Sequence, residues 1–97
     1  MNKQFEVYYK RPEGNFALVR TLELPAYLPV KSALEEIFNT MQGEVWSRNG
    51  EQREFILSKG LTHTSMSVGD FVRVVEIGDL WRVEPLGWKK VTVPCEE

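Results

Sequence analysis

The sequence contains few of the residues on which covalent and metal chemistry depend. Its 97 residues include one cysteine, Cys95, and one histidine, His63. A single cysteine excludes an internal disulfide and a metal site built from several cysteines, and the lone histidine has no histidine or cysteine partner. We therefore expect no metal and no other cofactor. The low cysteine content also favours a reducing, cytoplasmic location.

Strong net charge and long hydrophobic runs are lacking as well. Twelve basic residues against fourteen acidic residues give a formal charge of −2, and this balance argues against non-specific binding to DNA. No run approaches the ~20 apolar residues of a membrane span, and the N-terminus has no apolar core of the ~7 or more residues that signal peptides carry. We expect neither membrane insertion nor secretion.

The apolar content is sufficient for one hydrophobic core. Hydrophobic residues make up 42% of the chain and aromatic residues 11%, and a chain of this length seldom divides into two domains. We predict one globular domain over residues 1–93. Because Pro94 ends the last strand pattern, we expect residues 94–97 to be a frayed tail.

The first 25 residues predict a β-hairpin. Apolar and more polar side chains alternate from Phe5 to Lys10, as they do in a half-buried strand. Turn-forming residues follow at 11–15. The next strand has apolar residues of one parity, which predicts that they lie on one face of the sheet. They are Phe16, Leu18, Leu22 and Leu24.

From residue 30 the apolar period changes from two to about 3.6, which predicts the main helix. Its apolar face comprises Val30, Ala33, Leu34, Ile37, Phe38 and Met41. We expect part of this face to pack against the C-terminal strands. The residues of this predicted contact are Leu34, Ile37 and Phe38 on the helix and Val72, Val74, Trp81 and Val83 on the strands.

Residues 44–60 allow two interpretations. The dipeptide at 49–50 is a hairpin signal, whereas the apolar pair at 55–56, shortly before Gly60, is typical of a short helix that is ending. We prefer the helix. Trp46 either closes one end of the core or is an exposed anchor, and burial is the commoner outcome for an indole.

The C-terminal third predicts a three-strand meander over residues 71–77, 80–84 and 88–93. The whole chain is then an α+β fold, because each of its elements is apolar on one side only. We predict a mainly antiparallel sheet of about five strands, made by the N-terminal hairpin and the C-terminal meander. The main helix packs on one face of this sheet, and a second short helix precedes the meander.

The register of the first two meander strands follows from the dipeptide at 78–79, which predicts a two-residue hairpin turn. Such a turn pairs Ile77 with Leu80. The same register places Arg73 opposite Glu84, where the two side chains would form a cross-strand ion pair.

A polar loop before the first meander strand is the candidate binding site. The candidate residues are His63, Thr64, Ser65, Ser67 and Asp70, together with Trp46 from the preceding connector. Hydroxyl side chains in such a loop hydrogen-bond nearby backbone amides and pin a tight turn, with His63 as a neutral cap. The alternative is that His63 projects towards a ligand or a partner protein. We prefer the structural turn.

We do not expect an enzyme. Nucleophilic catalysis needs a nucleophile, a base and an orienting group, and His63 is the only candidate base. Ser65, Ser67 and Asp70 are close to it in sequence, but neighbours in a turn rarely point at one another. The sequence also has no Gly-x-Ser-x-Gly elbow and no glycine-rich phosphate loop.

A second candidate site would bind single-stranded nucleic acid, because basic and aromatic residues on a sheet face can stack bases and neutralise phosphates. These residues are Arg73, Arg82, Trp88, Lys89 and Lys90. Glu76, Asp79 and Glu84 interleave with them and should cancel much of the positive potential. We therefore prefer a solvated face of mixed charge.

The polar loop also belongs to a wider sequence pattern. The run His-Thr-Ser-Met-Ser-Val-Gly-Asp-Phe-Val at 63–72, the helical segment 34–38 and the later segments 81–84 and 86–88 resemble the YodL-like group of small domains. Those domains occur in phages, plasmids and other mobile elements and have no established biochemical activity. The resemblance implies an accessory protein without catalytic residues. We therefore predict a non-enzymatic interaction module that acts on a host or phage protein, and the alternative is a single-stranded nucleic-acid-binding β domain.

Overall fold

The computed structural model describes residues 1–92. Its elements are β1 (Asn2–Lys10), β2 (Phe16–Pro25), α1 (Val30–Thr40), α2 (Gly43–Trp46), α3 (Arg53–Ser58), β3 (Phe71–Val74), β4 (Asp79–Glu84) and β5 (Gly87–Val91). The predicted α+β class is confirmed. No helix among these combines the length and the hydropathy needed to cross a bilayer. Cys95, the end of the last predicted strand and the predicted frayed tail lie outside the described residues.

The strands form one antiparallel sheet in the order β2-β1-β3-β4-β5. The central strand is β1, which pairs with β2 on one side and with β3 on the other. The predicted N-terminal hairpin and C-terminal meander are both confirmed, and their joint lies between β1 and β3. The turn of the hairpin is closed by Arg11, whose backbone N–H donates to the Asn15 carbonyl at 2.7 Å.

The core lies between α1 and one face of the sheet. Its buried residues include Phe5, Val7, Tyr9, Leu34, Ile37, Met41, Val72, Val74 and Val83. The predicted packing of Leu34 and Ile37 on this sheet face is confirmed, whereas Phe38 and Trp81 are partly buried beside it. Burial of each large apolar side chain contributes about 1.5–3 kcal/mol before conformational entropy is subtracted, so this layer is the main source of stability.

A β-bulge in β2 changes which residues face the core. Val7 pairs with Arg20 but Tyr8 pairs with Leu18, so Val19 is an extra residue on β2. Before the bulge Ala17 is buried, together with Val19 itself. After it the strand continues with the opposite parity, so Leu22 and Leu24 pack on the same core. The prediction that all four apolar residues share one face is therefore wrong for Phe16 and Leu18.

The connection between β3 and β4 differs from the predicted two-residue hairpin. Val74 pairs with Asp79, which leaves a four-residue turn, and the predicted pairing of Ile77 with Leu80 is wrong. Gly78 has φ of 75°, and its N–H donates to the Val74 carbonyl at 2.7 Å. Val72, Val74, Trp81 and Val83 still share one face, as predicted, because both registers pair even-numbered residues of β3 with odd-numbered residues of β4.

The ion pairs on these strands also differ from the prediction. Arg73 lies opposite Leu80, so the predicted pairing with Glu84 is wrong. The Arg73 guanidinium contacts Glu6 on β1, with 2.9 Å between Nη1 and Oε1. Glu84 instead contacts Arg82 on its own strand, with 2.7 Å between Oε2 and Nε.

The connector at residues 44–60 contains a helix, as the apolar pair at 55–56 predicts. This helix is α3, and it contributes the buried Ile56 to the core. The sequence did not predict α2, a single helical turn that ends at Trp46. Trp46 is half-buried. Its burial is therefore intermediate between the two predicted alternatives, a side chain that closes the core and an exposed anchor.

Candidate functional site

The carboxylate of Asp70 is the centre of the polar loop. Asp70 comes directly before β3 and is 1% exposed. Its Oδ1 accepts the backbone N–H of Lys10 at 2.8 Å, and its Oδ2 accepts that of Ser67 at 2.8 Å. The same Oδ2 lies 2.9 Å from Nε2 of His63, so the expectation that these loop neighbours do not point at one another is wrong for Asp70. A buried carboxylate is stable only with such partners, so Asp70 ties the end of β1 to the loop.

His63 is directed inwards by two contacts. Besides the contact with Asp70, its ring stacks on Tyr9, with 4.7 Å between the centroids and 14° between the planes. The side chain is 28% exposed. This geometry supports the interpretation of His63 as a cap over the alternative in which its ring projects towards a ligand or a partner protein.

The Tyr9 hydroxyl connects this pair to the rest of the loop. It donates to the Thr64 carbonyl at 2.7 Å. Burial raises the pKa of Tyr9 above its ordinary value of 10.0, the negative charge of Asp70 raises it further, and Arg20 lowers it to a smaller extent. Tyr9 therefore remains a proton donor throughout the neutral range.

The serine hydroxyls of the loop contact backbone groups. Ser65 Oγ accepts the Gly43 N–H at 2.7 Å, and Ser67 Oγ donates to the Ser65 carbonyl at 3.0 Å. Both hydroxyls are thus used to hold the chain. Neither hydrogen bond resembles the nucleophile-to-base contact of a hydrolase.

Trp46 joins the loop through its indole nitrogen. Its Nε1–H donates to the Thr64 carbonyl at 3.0 Å, so the loop fixes the orientation of the ring. On the other side, the Arg20 guanidinium lies 5.8 Å from the ring centroid, which is within cation–π distance. The six candidate residues are therefore connected, with Trp46 on the outside and Asp70 on the inside.

A groove of about 530 Å³ opens beside Trp46. It lies between β2, the end of α1, and the short helices α2 and α3. Its lining residues, which define the Trp46 groove, are Val19, Arg20, Thr40, Val45, Trp46, Gln52 and Phe55. Val45 is 60% exposed, so an apolar wall of this groove is open to solvent.

Two other depressions differ from the Trp46 groove in their lining residues or in their volume. One, of about 460 Å³, is lined by Gly43, Ser47, Gly50, Arg53, Ile56, Leu57, Thr62 and Thr64. The other, of about 200 Å³, is lined by Glu35, Phe38, Val83, Glu84, Pro85, Gly87 and Trp88. The first is mostly small and polar, and the second has less than half the volume of the Trp46 groove.

The candidate nucleic-acid residues divide between the two faces of the sheet. Arg73, Arg82 and Lys89 lie on the face opposite α1, as their pairing positions require. Trp88 and Lys90 lie on the helix side, where the Trp88 ring meets that of Phe38 edge-on with 6.4 Å between centroids. The structure therefore does not bring all five residues together.

Ion pairs reduce the positive charge of this candidate set, as the sequence predicted in general terms. Besides the pairs that Arg73 and Arg82 form with glutamates, Lys90 Nζ lies 3.3 Å from Asp79 Oδ2. The sequence did not indicate the aromatic contact on the face opposite α1, where Tyr8 stacks on Phe71 with 4.6 Å between the ring centroids and 7° between the planes. Phe71 is only 4% exposed, so Tyr8 covers it and leaves little of its ring for a base.

The sequence did not point to six of the seven described residues that line the Trp46 groove, among them Arg20, Val45 and Phe55. The one sequence signal for Arg20 is that it is a charged residue at a position where the apolar pattern of β2 would place an apolar residue. Val45 and Phe55 lie in the connector whose structure the sequence left open. Their convergence on Trp46 depends on tertiary contacts.

Comparison of the chain with known protein families, with curated proteins and with solved structures finds no match. The likeness to YodL-like domains stays a prediction from the residues quoted above.

Proposed function

We propose that this protein is a non-enzymatic interaction module that binds a short segment of a partner protein in the Trp46 groove. The observation that carries the proposal is a half-buried tryptophan that lines an open groove together with the apolar residues Val45 and Phe55. Tryptophan is enriched among the residues that dominate binding energy at interfaces, because it combines a large apolar surface with a polar handle.

In this proposal the polar loop supports the groove and does not itself bind the partner. The Thr64 carbonyl holds the indole of Trp46, and Ser65 Oγ holds the first residue of α2. A wall that is held rigid loses less entropy when a ligand binds. Mutations in the loop should therefore weaken binding through the position of Trp46.

The non-enzymatic part of the proposal is supported by the use of the polar groups. His63 is occupied by Asp70 and Tyr9, and the serine hydroxyls contact the backbone. The resemblance to YodL-like domains supports an accessory role in a phage or mobile element, with a host or phage protein as partner. The single cysteine supports a cytoplasmic location.

Selection of peptides from a random library on the immobilised full chain tests this function. Amide chemical shifts in a titration with a selected peptide should change at Trp46, Val45 and Phe55. Val45→Lys should abolish binding without lowering stability, because Val45 is 60% exposed. Leu86→Lys, a matched change at a residue outside the groove that is 98% exposed, should leave binding unchanged. Shift changes confined to other surfaces, with binding that Val45→Lys does not alter, would refute the proposal.

A second candidate function is binding of single-stranded nucleic acid on the sheet face opposite α1. It is favoured by one row of paired positions, in which Tyr8, Arg82 and Lys89 lie on the same face, with the covered Phe71 between Tyr8 and Arg82. Titration with DNA and RNA oligomers at two salt concentrations distinguishes the two functions. Nucleic-acid binding should weaken steeply with salt because counterions are released, and Lys89→Ala should reduce that slope.

A further inference from the structure

Among the residues that the structure describes, one charged side chain lines the Trp46 groove, and it is a cation. The other residues that line the groove are apolar or neutral. Arg20 is half-buried, and no carboxylate within residues 1–92 lies at ion-pair distance from it. This separates Arg20 from Arg73 and Arg82, which both have a glutamate partner.

The surroundings of Arg20 hold its guanidinium without neutralising it. One face lies over the Trp46 ring, and Nη1 is 4.0 Å from the Met41 sulfur. Both contacts are soft and uncharged. The planar guanidinium has five N–H donors, so several remain for a ligand, and their geometry matches a carboxylate with two parallel hydrogen bonds.

We propose that the segment bound in the Trp46 groove is acidic, with an aspartate or glutamate carboxylate on Arg20 and a neighbouring large apolar side chain between Val45 and Phe55. This inference rests on the proposed interaction function and names the chemistry of its partner. A charge-assisted pair in a partly desolvated groove is stronger than one on an open surface, because water screens it less.

Recognition here depends on side chains more than on strand addition. Arg20 lies on β2, an edge strand of the sheet. The bulge at Val19 interrupts the regular row of backbone groups on this strand, and bulges weaken the pairing of an edge with another chain. The apolar side chain should therefore supply the buried area, and the carboxylate should fix the orientation.

Matched peptides test the inference directly. A peptide selected on the full chain is synthesised twice, once with its acidic residues and once with Asp→Asn and Glu→Gln. Binding of both forms is measured by fluorescence anisotropy to the wild type, Arg20→Gln and Arg53→Gln. Arg53 is the control because it is exposed and lines the neighbouring depression instead of the Trp46 groove.

The acidic peptide should bind Arg20→Gln at least about tenfold more weakly than the wild type, as expected for loss of hydrogen bonds to a charged group. The neutral peptide should bind both proteins with about equal affinity, which gives a double-mutant cycle that a change in fold alone would not produce. Arg53→Gln should change neither affinity by more than about twofold, since an exposed charge contributes little. Thermal melting verifies that each variant is folded.

Two results would overturn the inference in different ways. Peptides without enriched acidic residues that bind equally to Arg20→Gln, yet are lost with Val45→Lys, would leave the groove as a binding site and refute its preference for acidic segments. Binding that neither Val45→Lys nor Arg20→Gln alters would refute the proposed function together with this inference.

Discussion

His63 Nε2 and Asp70 Oδ2 lie 2.9 Å apart across the polar loop. The Asp70 side chain is 2% exposed, whereas the imidazole keeps contact with solvent. The pair therefore closes the loop over a buried acid. Removing either partner should affect stability before it affects any interaction with another molecule.

His63→Ala should lower the free energy of unfolding by about 1–2 kcal/mol, because it removes a hydrogen-bond partner of a buried carboxylate. The stacking contact with Tyr9 is lost at the same time. Chemical denaturation measures the change, and Thr62→Ala, at the exposed preceding residue, is the matched control. An unchanged melting temperature in His63→Ala would contradict the cap interpretation.

Alkaline pH should destabilise the fold through Tyr9. The pKa of Tyr9 is raised above its ordinary value of 10.0 by burial, so the folded state keeps a proton that the unfolded state releases. The stability from this group is complete below pH 10.0 and is lost as the pH rises further, by up to about 1.4 kcal/mol per pH unit.

Urea denaturation between about pH 9 and 11 measures this effect through its pH slope. Tyr9→Phe is less stable at neutral pH because it lacks the hydrogen bond to Thr64, but its stability should fall less steeply above pH 10.0 than that of the wild type. Tyr27→Phe, at a residue that is 84% exposed, should keep the slope of the wild type. Parallel slopes for the wild type and Tyr9→Phe would exclude Tyr9 as the group responsible.

Two truncations on α1 test how far each side chain is buried in the core. Leu34 is 0% exposed, and Leu34→Ala should lower stability by about 2–5 kcal/mol because it leaves a cavity in the core. Phe38 lies beside the core against Trp88, so Phe38→Ala should cost less than the ~3–5 kcal/mol of a fully buried phenylalanine. A cost above about 5 kcal/mol for Phe38→Ala, or below about 2 kcal/mol for Leu34→Ala, in chemical denaturation would contradict these positions.

Gly43→Ala should lower the stability of the fold, although a helix with alanine is normally about 1 kcal/mol more stable than the same helix with glycine. A Cβ at Gly43 would lie 3.1 Å from Ser65 Oγ, which is the atom that accepts the Gly43 N–H. The double variant Gly43→Ala/Ser65→Ala should be more stable than the sum of the single changes predicts. Additive costs in denaturation would argue against this close contact.

The parts of the fold that depend on neighbouring residues were predictable from the sequence. Alternation across β1 and the 3.6-residue period of α1 are local patterns, and both elements form where they predict. The bulge in β2 and the turn before β4 were not predictable in this way. Each depends on the strand across from it, which fixes a register that the local pattern does not contain.

The same distinction between local sequence patterns and contacts of distant residues applies to the candidate site. The loop was predicted as a pinned turn with His63 and Asp70 in it, and the structure places them together. The burial of Asp70 depends on the backbone of Lys10, which is 60 positions away. The groove beside Trp46 depends on β2 and α3, which no sequence spacing relates.

The bulge at Val19 determines which residue of β2 lies opposite Glu6 on β1. With regular pairing onward from Tyr8 and Leu18, Arg20 would lie opposite Glu6 and would be neutralised there, while Thr21 would enter the core in place of a leucine. The extra residue thus reverses which residues of β2 face the core. It moves Arg20 away from Glu6 to a groove whose other described lining residues are uncharged. The cation of the Trp46 groove therefore depends on the register shift at Val19.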